Sequence, residues 1–402
     1  MKLTFVTVSS PAIRCLIEAG KEIKEKYPKT LDLNIYYGIE EQDEKCGKRL
    51  VEDIKTSDLV FVDLMGSPSS LVEYVYMGLE ECKGHIVPYG GGAREYMRLG
   101  GFTAESMKSD NKKVDMARIA KMRNTAETLG KIMPGKMRDM RNYSNIMKYF
   151  KTADNYNISN MLYLMLRDYG NIKNMPKPLD PKETVGAGIC NPQNMYFYEN
   201  YDEYIRDFPY DKSKPIVSML FYGHTYPMDT SSSVAGIKKR IEEFANVLPV
   251  GISGDYKNNE DKIRNILLKS TEKPIDLIVN FMSFRLGAGP MGGDFQAAVD
   301  MLKEIDVPYF HPYFMSRRTV EEWKDSIQGA SSSEVLISVM LPELDGCIET
   351  YPVGAMGEPQ YDAEFDIMTD ELTLIDERVD KLISRIQSYI HIKNMANKDK
   401  KI

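Results

Sequence analysis

The sequence predicts an α/β protein made of two doubly wound, mostly parallel-sheet units, with a helical insertion and a C-terminal amphipathic helix. Three observations predict it. Short apolar or β-branched runs alternate with helical periodicity over residues 1–103, the same alternation restarts at Pro215, and the stretch from 104 is dominated by Lys, Arg and Met. Strands alternating with helices imply right-handed βαβ units and a parallel sheet.

In the first unit, residues 1–103, strand runs lie at 3–8, 31–37, 59–64 and 85–89, with helical patterns at 11–26, 43–56 and 68–81. Pro11 suits a first helical turn, where its missing N–H costs nothing, and Ser9 and Ser10 supply caps. A flavodoxin-like arrangement is expected. Residues 104–170 read as a helical insertion, with helices at 114–129 and 144–150, and its basic character is that of a solvated helix face. Residues 171–214, opening on a stretch rich in Pro, Lys and Asp, read as a linker.

The second unit, residues 215–356, places strands at 216–222, 247–252, 275–281 and 307–310, and helices at 233–245, 258–269, 294–304 and 320–328. Thr319 with Glu322 and Ser331 with Glu334 have the S/T-x-x-E spacing of capping boxes. The second box makes 335–340 helical despite its strand-like composition. Residues 357–402 read as a connecting segment and a helix. Ile375, Val379, Leu382, Ile386 and Tyr389 recur there at steps of four and three, which is one apolar helix face.

The net charge of −7 and pI near 5.4 argue against a general nucleic-acid surface, which needs a surplus of Lys and Arg. Five scattered cysteines without C-x-x-C spacing fit a reduced, intracellular protein. No apolar run approaches the ~20 residues a membrane span needs, and the amino terminus reads as a strand rather than a signal peptide. A cytoplasmic protein is expected.

Gly287-Ala288-Gly289-Pro290-Met291-Gly292 is a literal G-x-G-x-x-G. Such glycines let a backbone approach a pyrophosphate at a helix N-terminus, which would make the chain a nucleotide-dependent oxidoreductase. Residues 282–286 separate strand from glycines, however, and Pro290 removes a donor. A flexible loop lining a ligand cleft and a plain structural turn are the other two readings of Gly287, Gly289 and Gly292. His224 and His311 follow predicted parallel strands at their carboxyl ends, where open α/β sheets bind ligands, and neutral imidazole suits a proton shuttle or an axial ligand. His85 and His391 read as structural. Arg285, Arg317 and Arg318 fall in the same strand-end loops, with the bidentate geometry that carboxylates need. Glu343 and Asp345 offer carboxylate bases, although Pro342 and Gly346 equally explain a helix stop and turn. The run from Gly66 to Ser70 and the Gly90–Gly92 triplet lack the Lys of a P-loop, so the chain carries no ATPase motif of its own.

Residues 307–354 hold one ordered set: Asp306-Val307-Pro308, Ser316-Arg317, Glu321-Glu322-Trp323, Ser326, Gly329 and Leu341-Pro342-Glu343-Leu344-Asp345-Gly346. This block resembles the large subunit of cobaltochelatase (CobN) and its relative, the large subunit of magnesium chelatase. The resemblance covers nearly all of this chain but only the amino-terminal part of such subunits, with 397–402 similar to the basic linker before the chelatase region proper. It implies a subunit that binds a tetrapyrrole macrocycle while AAA+ partner subunits use ATP and Mg, and a divalent metal, cobalt or magnesium, is the substrate. Cobalt is favoured because the block is closer to the cobaltochelatase branch. No catalytic residue carries over. His224, Arg285, Gly287, Gly289, Gly292, His311, Arg317, Arg318 and Glu343 are the expected substrate contacts. A non-enzymatic tetrapyrrole-binding or docking module is the competing class.

Overall fold

The computed structural model describes residues 1–39, 43–90, 92–107, 135–182, 185–226, 228–253, 256–289, 292–293 and 295–395. The chain divides into two compact units: Met1–Glu183 with Tyr226–Met228 and Pro359–Thr369, and Thr184–Thr225 with Asp229–Glu358 and Asp370–Ile402.

In the first unit, strands β1 (Lys2–Thr7), β2 (Asp32–Tyr37), β3 (Leu59–Asp63) and β4 (His85–Tyr89) form a parallel sheet in the order 2-1-3-4, and the short β5 (Arg98–Leu99) and β6 (Phe102–Thr103) add antiparallel to its β4 edge. Period-two alternation sorts β1 into two cores. Leu3 and Phe5 pack with α1 (Ser10–Lys26), α4 (Lys136–Lys151) and α5 (Asn155–Asp168), whereas Val6 packs with α2 (Glu44–Thr56) and α3 (Ser69–Glu81). Ser9 Oγ caps α1 by accepting from the Ala12 amide, and Asp43 caps α2 through the Cys46 amide. Glycines let α2 and α3 lie close: a Cβ on Gly78 would sit 2.8 Å from the Ile54 side chain. The helix expected at 114–129 falls outside the described residues.

A hairpin of Gln360–Asp362 and Ile367–Thr369 also belongs to this unit. It lies inside the stretch expected as a connecting segment. Phe365 and Ile367 bury in the α1 core, and Lys21–Asp362, Lys24–Glu364 and Arg49–Asp366 pairs line its rim. The apolar anchors do most of the holding, since exposed ion pairs are worth ~0–1 kcal/mol each.

The second unit begins earlier than its sequence suggests. Strand β7 (Ala187–Asn191), with β8 (Tyr196–Phe197), lies in the expected linker but pairs antiparallel with β10 (Asn246–Ile252). Helix α6 (Tyr201–Asp207) follows it, and Tyr201 and Tyr204 are core residues. The parallel part contains β9 (Ile216–Tyr222), β10, β11 (Leu277–Asn280) and β14 (Tyr309–Phe310) in the spatial order 14-11-9-10. Read in chain order this is 2-1-3-4 again, so both units share one winding. Helices α7 (Ser231–Glu242), α8 (Tyr256–Lys269) and α9 (Phe295–Ile305) make the crossovers. The run from Gly287 to Gly292 contributes a minimal antiparallel hairpin, β12 (Ala288–Gly289) with β13 (Gly292–Gly293).

Beyond β14 a separate three-stranded sheet forms from β15 (Tyr313–Thr319), β16 (Pro352–Met356) and β17 (Leu372–Leu374). Both capping boxes are present, on α10 (Val320–Asp325) and α11 (Ser332–Val335). A π-turn, Leu336–Met340, and α12 (Leu341–Glu343) continue the second, so 335–340 is helical. The cap fixes the first turn, and that local signal outweighs the β-branched composition. Helix α13 (Asp376–Asn394) buries Val379, Leu382, Ile386 and Ile390.

Candidate functional site

In a 2-1-3-4 sheet the crossovers leave the first and third strands toward opposite faces, opening a crevice at their carboxyl ends. In the second unit these strands are β9 and β11, so topology selects the residues after Tyr222 and after Asn280. The ring of His224 stands 5.5 Å from that of Tyr222, whose hydroxyl donates to the Ser283 carbonyl at 3.4 Å. Asn280, wholly buried, donates from Nδ2 to the Tyr309 hydroxyl at 2.7 Å and accepts the Met282 amide at 3.0 Å.

His311 follows β14, one strand further out, and is 0% exposed. Burial pushes its imidazole down to about 4, with the Asn280 main chain pulling weakly the other way, and neither ring nitrogen makes a hydrogen bond of normal geometry. It is therefore a neutral base at neutral pH, held behind Tyr309 and Asn280 rather than at the surface. The Thr225 hydroxyl is likewise buried without a partner.

The loop after β11 is roofed by the helical segment that follows α11. The Phe284 amide donates to the Ile337 carbonyl at 2.7 Å, and the Ser283 and Ser338 hydroxyls lie 3.3 Å apart. Arg285 grips Asp345 with Nε and Nη2 at 2.7 and 2.6 Å, and the Leu286 amide holds the other carboxylate oxygen at 2.9 Å. The Asp345 side chain is fully buried. Burial raises its pKa, and Arg285 opposes that rise. Arg285 also covers the Phe295 ring at 4.4 Å. Its guanidinium is thus committed inside the fold.

The remaining candidates do not share one loop. Gly287 takes a left-handed φ of +88°, while Gly289 and Gly292 pair with each other across the β12–β13 hairpin. Those backbone groups are turned to each other instead of to a pyrophosphate, and the glycines are a structural turn rather than a dinucleotide cradle or a flexible lining. Arg317 and Arg318 lie within β15 of the small sheet, not in a strand-end loop of the parallel one, because β15 continues pairing with β16 to Thr319. Arg317 is exposed, and Arg318 donates to the Ser326 hydroxyl and the Gly329 carbonyl. Glu343 is exposed at the end of α12. A cavity of about 260 Å³ opens at the opposite, amino edge of the sheet, lined in part by Tyr201, Tyr204, Phe208, Tyr210 and Glu242. There the buried Lys238 lies 3.6 Å over Phe208 and pairs with Glu242 at 2.6 Å, so the aromatic corner is filled from within.

The first unit has its own switch point, between β1 and β3, and sequence reading passed over its central residue. Asp63 is 0% exposed; it accepts from the Tyr226 hydroxyl at 3.1 Å, the Thr7 hydroxyl at 3.2 Å and the Met65 amide at 3.4 Å. Burial raises its carboxyl to about 6 against those donors. Tyr226 fills the crevice, 5.0 Å from Tyr89 and 5.9 Å from Phe150. The one available signal was an acidic residue ending an otherwise apolar strand.

Among the described residues no three His, Cys, Asp or Glu side chains converge as metal ligands, and no helix is long and apolar enough to cross a membrane. The sequence matches the family described as CobN/Magnesium Chelatase over residues 147–402. Two uncharacterized proteins of Methanocaldococcus jannaschii are similar. One is 29% identical over 52% of this chain and 17% of its own length; the other is 24% identical over all of this chain and 30% of its own. A magnesium-chelatase large subunit, that of Chlorobaculum parvum, is 23% identical over 70% of this chain and 21% of its own length. Among solved structures, the catalytic subunit of cobaltochelatase from Mycobacterium tuberculosis aligns with a TM-score of 0.51 at 14% identity, covering 99% of this chain and 28% of that one. That likeness is one of fold. The chain spans no more than about a third of the length of these relatives.

Proposed function

The chain belongs to the CobN/Magnesium Chelatase family, and from that premise we propose that it is a tetrapyrrole-binding portion of the large subunit of an ATP-dependent metal chelatase. The reaction is insertion of a divalent metal, cobalt before magnesium, into a corrin-type or porphyrin macrocycle in the cytoplasm. The observation that carries this reading is the family match, which runs through the whole of the second unit. Insertion requires a base to accept pyrrole protons and an exchangeable route for a dehydrated cation. Nothing in this chain is assigned those steps: its part is to hold the macrocycle. AAA+ partner subunits hydrolyse ATP with Mg, and the remainder of the large subunit carries the chelation chemistry.

Within the second unit the switch point contributes His224 and the roofed loop after β11. Arg285 serves that loop by fixing Asp345 and so holds the wall in shape. The test is a titration of the chain with a metal-free porphyrin, followed at the Soret band. A saturable shift supports the proposal, and its absence at concentrations well above micromolar removes it.

A further inference from the structure

Helix α13 does two things with its sequence. Its apolar stripe packs inward, while Arg378, Lys381 and Arg385 recur at steps of three and four and therefore share another face. Each of these cations lies over an aromatic ring: Arg378 over Trp323 at 5.0 Å, Lys381 over Tyr351 at 4.4 Å, and Arg385 over Tyr389 at 5.4 Å. Ring faces hold cations in place without neutralising them.

Counter-charge is scarce on this face. Glu349 takes Arg385 at 2.6 Å and Glu377 reaches Arg378 only at 3.9 Å, while no carboxylate among the described residues pairs with Lys381. This local surplus stands on a chain whose net charge is −7. At its centre Tyr351 is 8% exposed, and its hydroxyl is buried without a hydrogen-bond partner. Arg378 and Arg385 both act electrostatically on that hydroxyl, so three cations converge on one orphan donor. A buried polar group without a partner calls for an explanation, and an absent ligand is one.

We propose that this face is an anion site, in which Arg378, Lys381 and the Tyr351 hydroxyl take a carboxylate arm of the planar macrocycle. The inference rests on the tetrapyrrole reading above and assigns the acidic arms to α13 in place of Arg285, Arg317 and Arg318. Arg285 and Arg318 are already engaged within the fold. Carboxylate recognition by a guanidinium, an ammonium and a hydroxyl uses charge-assisted hydrogen bonds, the stronger kind.

Trp323 is the chain's one tryptophan and lies beneath Arg378, so its fluorescence reports on this face. The experiment titrates the full chain with metal-free deuteroporphyrin, a dicarboxylate, and separately with its dimethyl ester, reading Trp323 emission and the Soret band together. The diacid is expected to quench Trp323 saturably, with Lys381→Met and Tyr351→Phe each weakening it about ten-fold or more. The ester should bind wild type no better than the diacid binds the variants. Lys381 has no ion pair to lose and Tyr351→Phe removes one oxygen, so the two variants check each other for folding. A Soret shift with equal Kd in wild type and both variants, or equal binding of acid and ester, overturns this site while leaving the chelatase reading intact. Absence of any Soret shift overturns both.

Discussion

Asp63 sits fully buried at the end of β3 with a carboxyl that titrates at about 6. An unfolded aspartate titrates near ~3.9, so the fold prefers the neutral form. Below about pH 4 both states are protonated; from about pH 4 to about pH 6 only the unfolded state ionises freely, and stability falls by roughly 2–3 kcal/mol. Asp63→Asn removes that titration. Its Tm should change less than wild type's between about pH 4.5 and about pH 7.5, and parallel Tm profiles would refute the assignment. Arg285 yields a second prediction at this scale. Its partner Asp345 has a fully buried side chain, so Arg285→Ala strands a carboxylate and should cost about 3 kcal/mol or more in urea unfolding followed by Trp323 fluorescence. Arg317→Ala, on an exposed stretch of β15, should stay within about 0.5 kcal/mol. A similar loss from both variants would count against the buried pair.

At the scale of elements, caps and close approaches decide. Glu334 accepts the Ser316 amide at 2.9 Å as well as the Ser331 amide at 2.9 Å and hydroxyl at 2.8 Å, tying α11 to β15. Ser331→Ala should therefore cost about 1 kcal/mol, the worth of an N-cap. Glu334→Ala should cost more, since it also leaves the Ser316 amide without an acceptor. Equal losses in urea titrations would mean that the link to β15 adds nothing. In the first unit, Gly78→Ala forces a Cβ to 2.8 Å from Ile54 between α2 and α3. Overpacking there should lower stability by about 1–3 kcal/mol, measured by far-UV circular dichroism. The β12–β13 hairpin leads to a ligand prediction: NAD should give no heat in calorimetry, because the glycine backbone is paired with itself.

Across the whole molecule the same 2-1-3-4 winding appears twice, and the two copies differ in how an edge is finished. β5 and β6 extend the first sheet beyond β4, whereas β7 and β8 extend the second beyond β10. Both devices cover a strand edge that would otherwise offer unpaired backbone to another chain. Activity belongs to a larger assembly under the proposed function. The chain alone, lacking a P-loop lysine in any glycine-rich loop, should neither hydrolyse ATP nor insert cobalt or magnesium into a porphyrin. Spectroscopic detection of metalloporphyrin with this chain as the sole protein would contradict that.

The sequence by itself determined the α/β class, the positions of β1 to β4 and β9 to β11, both capping boxes and the family. Those features are local: a wholly buried parallel strand is a continuous apolar run, and a capping box is a four-residue pattern. Tertiary structure alone decided that Ala187–Asn191 is an edge strand, that Phe365 and Tyr226 complete the first unit, and that Arg285 is spent on Asp345. It also decided that Trp323, Tyr351 and Tyr389 lie under the cations of α13. The physical reason is sequence separation. Asp345 is sixty residues from Arg285 and Tyr226 is 163 from Asp63, and no periodicity reaches that far. Which polar groups are satisfied and which are left waiting is settled only when distant segments close on one another.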